Sequence, residues 1–168
     1  LRKFDEAEFY IRKAIEIKPD FAEAYSNLGN LLFEFGKFEE AELSQRKAIE
    51  LSPSFSDAYH NLGFLLLDQG RLDEAEMYTK KAIQFQKTVT KKSANLYLNL
   101  GKILNNKGKL DDSIKALKKG LEIDPNDSLI LAELVRKMSW CCAIDESEKY
   151  LNYISNLIID SVNFNPML

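Results

Sequence analysis

The chain has few of the residues that usually carry chemistry. It holds one histidine (His60), one tryptophan (Trp140) and two cysteines, the adjacent pair Cys141-Cys142. Adjacent cysteines are poor partners for a disulfide framework, which accords with a reducing compartment and a cytoplasmic location. They have no second cysteine pair and no neighbouring histidine, so metal-ligand spacing is missing. His60 has no serine or cysteine nucleophile obviously paired with it. No catalytic residue, metal or cofactor is therefore expected. No stretch of about 18 apolar residues is present, which excludes an ordinary membrane-spanning helix, and no signal-peptide pattern opens the chain. Seven glycines and four prolines are scattered singly, so no glycine-rich loop is available to cradle phosphate.

Charge of one sign is also lacking overall. The net charge of −3 is divided into −5 over residues 1–86, +7 over 87–120 and −5 over 121–168. The basic middle could steer an acidic partner, but reads first as a solvated lysine-rich face. Without an arginine cluster or an exposed aromatic comb it does not point to nucleic acid.

What the chain does have is a period. Between Phe21 and Phe55 stand Tyr25, Leu28-Gly29, Leu32, Gly36, Ala41, Ala48 and Pro53. Tyr59, Leu62-Gly63, Leu66, Gly70, Ala75 and Ala82 follow 34 residues later. The pattern returns as Tyr97, Leu100-Gly101, Leu104, Gly108 and Pro125, and Ala7, Ala14 and Pro19 precede it in phase. Self-similarity of this length marks a repeat array, in which each unit is stabilised by packing on its neighbours.

The units expected are 22–55, 56–93 and 94–127, each a pair of helices. The first helix of each is expected to end at Gly36, Gly70 or Gly108, where a left-handed backbone is needed. The second opens on an acidic pair, Glu39-Glu40, Asp73-Glu74 or Asp111-Asp112, favourable near a helix N-terminus. Residues 1–21, with a helix over Asp5–Lys18 stopped by Pro19, read as the second half of a truncated repeat. In the second unit Lys87 replaces proline, and Gly63 to Gly101 is four residues longer than the period. Four residues are about one helical turn, so the helix before the insertion is expected to lengthen. Gly120 stands where Ala48 and Ala82 do, and is expected to loosen its helix by about 1 kcal/mol. Residues 128–168 read as a degenerate repeat followed by capping helices, the last over about Glu146–Val162.

These residues resemble the tetratricopeptide repeat over 1 to about 127. The resemblance implies an all-α fold, a right-handed α-solenoid of antiparallel helix pairs whose first helices line a concave groove. By the family pattern the groove residues are Glu23, Asp57 and Asn95 at the second position of each unit, and Ser26, His60 and Leu98 at the fifth. Asn27, Asn61 and Asn99 follow at the sixth, Asn30, Phe64 and Lys102 at the ninth, and Glu34, Asp68 and Asn106 at the thirteenth. The sixth-position amides form an asparagine ladder able to bond the backbone of an extended peptide, with Glu23 and Asp57 selecting hydroxyl or basic side chains. The arrangement resembles the superhelix of O-linked N-acetylglucosamine transferases. Co-chaperone repeats that grip a carboxylate terminus place lysine and arginine at these positions, and Lys102 alone would not make that clamp.

The function expected is a protein–protein interaction module holding an extended polypeptide, with no nucleic-acid or membrane partner. Two alternatives stand beside it. Residues 128–168, with Trp140-Cys141-Cys142 and the terminal Phe164-x-Pro166-x-Leu168, resemble the linker of bacterial O-linked N-acetylglucosamine transferase-like proteins, which implies a substrate arm with a catalytic domain downstream. Exposed terminal helices would instead allow a self-assembling scaffold, a homo-oligomer.

Overall fold

The computed structural model describes residues 2–140. Among them are eight α-helices: α1 (Arg2–Ile17), α2 (Ala22–Glu34), α3 (Phe38–Leu51), α4 (Ser56–Asp68), α5 (Leu72–Phe85), α6 (Ala94–Asn106), α7 (Leu110–Ile123) and α8 (Ser128–Trp140). They fall into two compact units that divide between Lys87 and Thr88, α1–α5 in the first and α6–α8 in the second.

Three helix pairs are made alike. Gly36, Gly70 and Gly108 each have φ of 73°, a conformation in which a Cβ would crowd the following carbonyl. The residue after each glycine reaches back five positions: Lys37 N–H to the Leu32 carbonyl, Arg71 to Leu66 and Lys109 to Leu104, all at 2.9 Å. This is the Schellman closure, which satisfies carbonyls orphaned at the helix end. The chain reverses within it, so α2 packs on α3, α4 on α5 and α6 on α7. The acidic pairs lie in the first turns of α3, α5 and α7.

The paired helices approach closely because Gly29, Gly63 and Gly101 have no side chain. A Cβ there would stand 2.6 Å from Gln45 Nε2, 2.6 Å from Thr79 Oγ1 and 2.8 Å from Leu117 Cδ2 respectively. Leu28, Leu32, Leu62, Leu65 and Leu66 fill the core of the first unit, closed by Ala41, Ala48, Ala75 and Ala82. In the second unit Ala94, Leu98, Leu117, Ile130 and Leu134 form one cluster, with Ile114, Leu121 and Ile123 packed against it.

One expectation is corrected and another is extended. The insertion does not lengthen α5, which has the same 14 residues as α3 and α7. A 3₁₀ turn over Lys91–Ser93 follows instead, where the Thr90 N–H donates to Ser93 Oγ at 2.8 Å and the Ser93 N–H returns to the Thr90 carbonyl at 2.8 Å. Gly120 is not merely a weak helix former, for a Cβ at it would lie 2.7 Å from Ile130 Cδ1. The missing methyl is the room that Ile130 uses. Asp127 caps α8, its Oδ1 accepting from the Leu129 and Ile130 N–H groups at 3.0 Å each. Cys141-Cys142, the helix expected over about 146–162 and the linker-like segment beyond Trp140 lie outside the described residues.

Ion pairs tie α1, α3 and α5 side by side. Glu42 accepts from Arg46 Nη2 at 2.7 Å and from Arg71 Nη1 at 2.6 Å. Glu74 holds Arg71 at 2.8 Å and approaches Arg46 at 3.4 Å, while Arg46 Nη1 donates to the Tyr78 hydroxyl at 2.7 Å. Glu8 repeats the arrangement with Arg12 at 2.7 Å and Lys37 at 3.6 Å. Burial acts to raise the pKa of Glu42, but the hydrogen bonds and charges of Arg46 and Arg71 outweigh it and hold the carboxyl below its ordinary value.

Two outcomes are expected. Gly70→Ala should lower stability to urea by about 1–2 kcal/mol, since alanine must adopt the left-handed backbone; an unchanged midpoint would contradict the role given to the closure. Because the folded Glu42 pKa is depressed, its contribution is present above the unfolded value, about 4.3, and is lost as pH falls through the folded value. Glu42→Gln should therefore cost up to about 1 kcal/mol at pH 7. Denaturation midpoints measured down the pH scale should converge with those of the native protein as pH falls below about 4.

Candidate functional site

Most of the residues expected to bind lie on α2 and α4, neighbouring first helices of the first unit. The Phe33 and Phe64 rings meet there at 5.4 Å, inclined at 63°. Beside them a cleft of about 230 Å³ opens, lined by Gly29, Asn30, Phe33 and Glu34 of α2, Gln45 of α3, and Asn61, Phe64 and Leu65 of α4.

A chain of hydrogen bonds orders the amides of this cleft. Gln45 is buried. Its Nε2 donates to the Ser26 carbonyl and to Asn30 Oδ1, both at 2.9 Å. Its Oε1 accepts from the Ser26 hydroxyl at 3.0 Å, and that hydroxyl accepts from Asn61 Nδ2 at 3.1 Å. Each bond restricts what its partner has left to offer. Asn30 has its carbonyl engaged and retains two N–H donors; Asn61 retains one donor and its carbonyl. The cleft thus presents fixed donors and an acceptor beside the half-exposed Phe64 ring, with exposed Glu34 at the rim. A peptide group and an apolar side chain can be met there together.

The remaining predicted residues are distributed as follows. Glu23, Asn27 and Asn30 are exposed on α2; Asp57 is exposed and His60 half-buried on α4. Asn95, exposed, and Lys102, half-buried, are on α6 in the second unit, where Lys102 borders a cleft of about 280 Å³ with Leu129, Ala132, Glu133 and Arg136 of α8. Two residues expected on the open face are not on it. Ser26 is buried because its hydroxyl serves Gln45 and Asn61. Asn99 is only 6% exposed. Of the sixth-position amides, Asn27 is exposed and Asn61 half-buried, both in the first unit. Gln45 and Phe33 were not among the predicted site residues. The available signal for Gln45 was a polar residue where the third repeat has Leu117.

The repeat can now be compared with known proteins. Tetratricopeptide repeat profiles match residues 54–126, 29–70 and 10–42, together spanning 10–126. The chain is a tetratricopeptide repeat protein. Tetratricopeptide modules bind protein or peptide partners and are not a catalytic family. Among solved tetratricopeptide structures, Pseudomonas aeruginosa PilF superposes with a TM-score of 0.85 at 21% identity, covering 92% of this chain and 68% of that one. MamA gives 0.83 at 23% identity, covering 95% and 91%. YrrB, described as a TPR protein with an unusual peptide-binding site, gives 0.76 at 23% identity, covering 87% and 73%. No curated protein matches the sequence.

Among the described residues, no group of three or more histidine, cysteine, aspartate or glutamate side chains could hold a metal ion. Among the same residues no helix is long and apolar enough to cross a membrane.

The Gln45 network should be energetically coupled. Gln45→Leu, which copies the Gly101–Leu117 contact, should cost about 1–2 kcal/mol by stripping Ser26 and Asn30 of their partner. Adding Ser26→Ala should cost little more, because both sides of the bond are then removed. Urea titrations of the single and double variants measure this; strictly additive losses would show that the two residues are independent.

Proposed function

We propose that the α2/α4 face binds a segment of polypeptide in extended conformation. The observation that carries the reading is the Gln45 network, which holds Asn30 and Asn61 with defined free donors and an acceptor beside the Phe33–Phe64 pair. An extended residue offers one N–H and one C=O, which Asn61 can meet at once. Asn30 supplies donors to a neighbouring carbonyl, and exposed Asn27 lies one turn earlier on the same helix. Backbone bonding of this kind tolerates different side chains. Selection comes from the surroundings: an apolar side chain covers Phe64, and a basic or hydroxyl side chain faces Glu34, Glu23 or Asp57. A free carboxylate terminus is disfavoured, because the second, fifth and sixth positions of α2 and α4 hold no lysine or arginine. YrrB, also a tetratricopeptide protein, is described as having a peptide-binding site, which accords with this use of the fold.

Screening a peptide array and measuring the hits by fluorescence anisotropy tests the proposal. Asn61→Ala and Phe64→Ala should each weaken binding about tenfold, with unchanged circular dichroism, and amidating the peptide C-terminus should have no effect. Full affinity in both folded variants would place the peptide elsewhere.

A further inference from the structure

The other layer of the first unit, built from α1, α3 and α5, carries a banded surface. Each helix runs in the same order: an acidic pair, an apolar residue, a basic pair. The sets are Asp5-Glu6, Phe9 and Arg12-Lys13; Glu39-Glu40, Leu43 and Arg46-Lys47; and Asp73-Glu74, Met77 and Lys80-Lys81. Phe9, Leu43 and Met77 recur every 34 residues and are 56%, 68% and 43% exposed. Leu43 has a helix pair following it and α1 preceding it, yet it is the most exposed of the three. Nothing within the unit covers it.

The position one residue earlier lies in the seam. In α7 the seam position is Ile114, packed against the core, and Lys115 faces out. In α1, α3 and α5 the seam position is instead Glu8, Glu42 and Glu76, whose side chains are mostly covered and are held by Arg12, Arg46 and Lys80. The seam is sealed by ion pairs, and the next position, which faces out in all four helices, holds an apolar residue in α1, α3 and α5. Arg12 approaches Glu40 at 3.7 Å and Arg46 approaches Glu74 at 3.4 Å, so the three helices lie side by side with their bands in register.

We propose that this face joins two copies of the chain in an isologous dimer, with the two-fold axis lying along the Phe9–Leu43–Met77 row. That rotation sets each apolar residue against its own copy and lays each acidic band over the other copy's basic band. An axis parallel to the helices would lay acid over acid. Self-complementarity under a two-fold is what a closed dimer requires, and the charge order selects one rotation. All six cations already have partners within the unit: Arg12, Arg46 and Lys80 hold the seam glutamates, Lys81 lies over the Tyr59 and Tyr78 rings, Lys13 holds Glu16 at 2.6 Å and Lys47 holds Glu50 at 2.7 Å. The exposed Lys13–Glu16 and Lys47–Glu50 pairs contribute little and exchange readily, which leaves those lysines available to the other copy.

Sedimentation velocity from about 1 to about 200 µM, where weak dimers assemble, should show a monomer–dimer equilibrium. Leu43→Lys should raise the dissociation constant at least about tenfold with an unchanged thermal midpoint. Two charge-reversed proteins, Glu6→Lys/Glu39→Lys and Lys13→Glu/Lys47→Glu, should each be monomeric and folded, and mixing them should restore a heterodimer. A native protein that stays monomeric throughout would overturn the proposal, as would a dimer untouched by Leu43→Lys. Two folded charge-reversed proteins that fail to associate would overturn the assigned axis.

Discussion

Each helix pair depends on one contact, between a glycine in the first helix and the side chain 16 residues later. A methyl group at Gly29, Gly63 or Gly101 would overlap that side chain, so the spacing of the helices is set by what the glycine leaves out. The facing residue differs in each pair: Gln45, Thr79 and Leu117. Leu117 there extends an apolar core. Gln45 there introduces a buried amide that must be bonded, and its three bonds reach Ser26 and Asn30. Asn61 is drawn in through Ser26. The ordered cleft is thus a consequence of satisfying one buried side chain.

The outer layer shows the same principle with charge. Glutamate at positions 8, 42 and 76 can be mostly covered only because a cation four residues on neutralises it, and Lys37 or Arg71 from the following turn adds a second partner for Glu8 or Glu42. Ile114 fills the corresponding place in α7 with apolar bulk. Phe9, Leu43 and Met77 stand at the next position, which faces out in α7 as well. Both candidate surfaces of the first unit therefore lie beside seam positions held by polar residues.

Much of the fold was legible in the sequence because its signals are local and repeated. The glycines at 36, 70 and 108 have only one backbone conformation to specify, and the leucines and alanines recur in phase with them. The candidate site was less legible. Position within a repeat gives the direction of a side chain from its helix but not what the facing helix supplies. Ser26 was placed in the groove by its position, yet Gln45 and Asn61 use its hydroxyl. Asn99 shares the phase of Asn61 and is nevertheless buried. The insertion misled for a related reason. Four residues equal one turn, but α5 stops at Phe85, and the Thr90–Ser93 turn offers the backbone another set of bonds.

In the proposed function, Gln45 organises a face whose free amide groups engage a polypeptide. Side-chain NH₂ resonances of ¹⁵N-labelled protein, followed as array-selected peptide is added, report on those groups directly. The Asn30, Asn61 and Gln45 side-chain signals should shift together and saturate with the same dissociation constant. Saturable binding that leaves these three signals unmoved would contradict it.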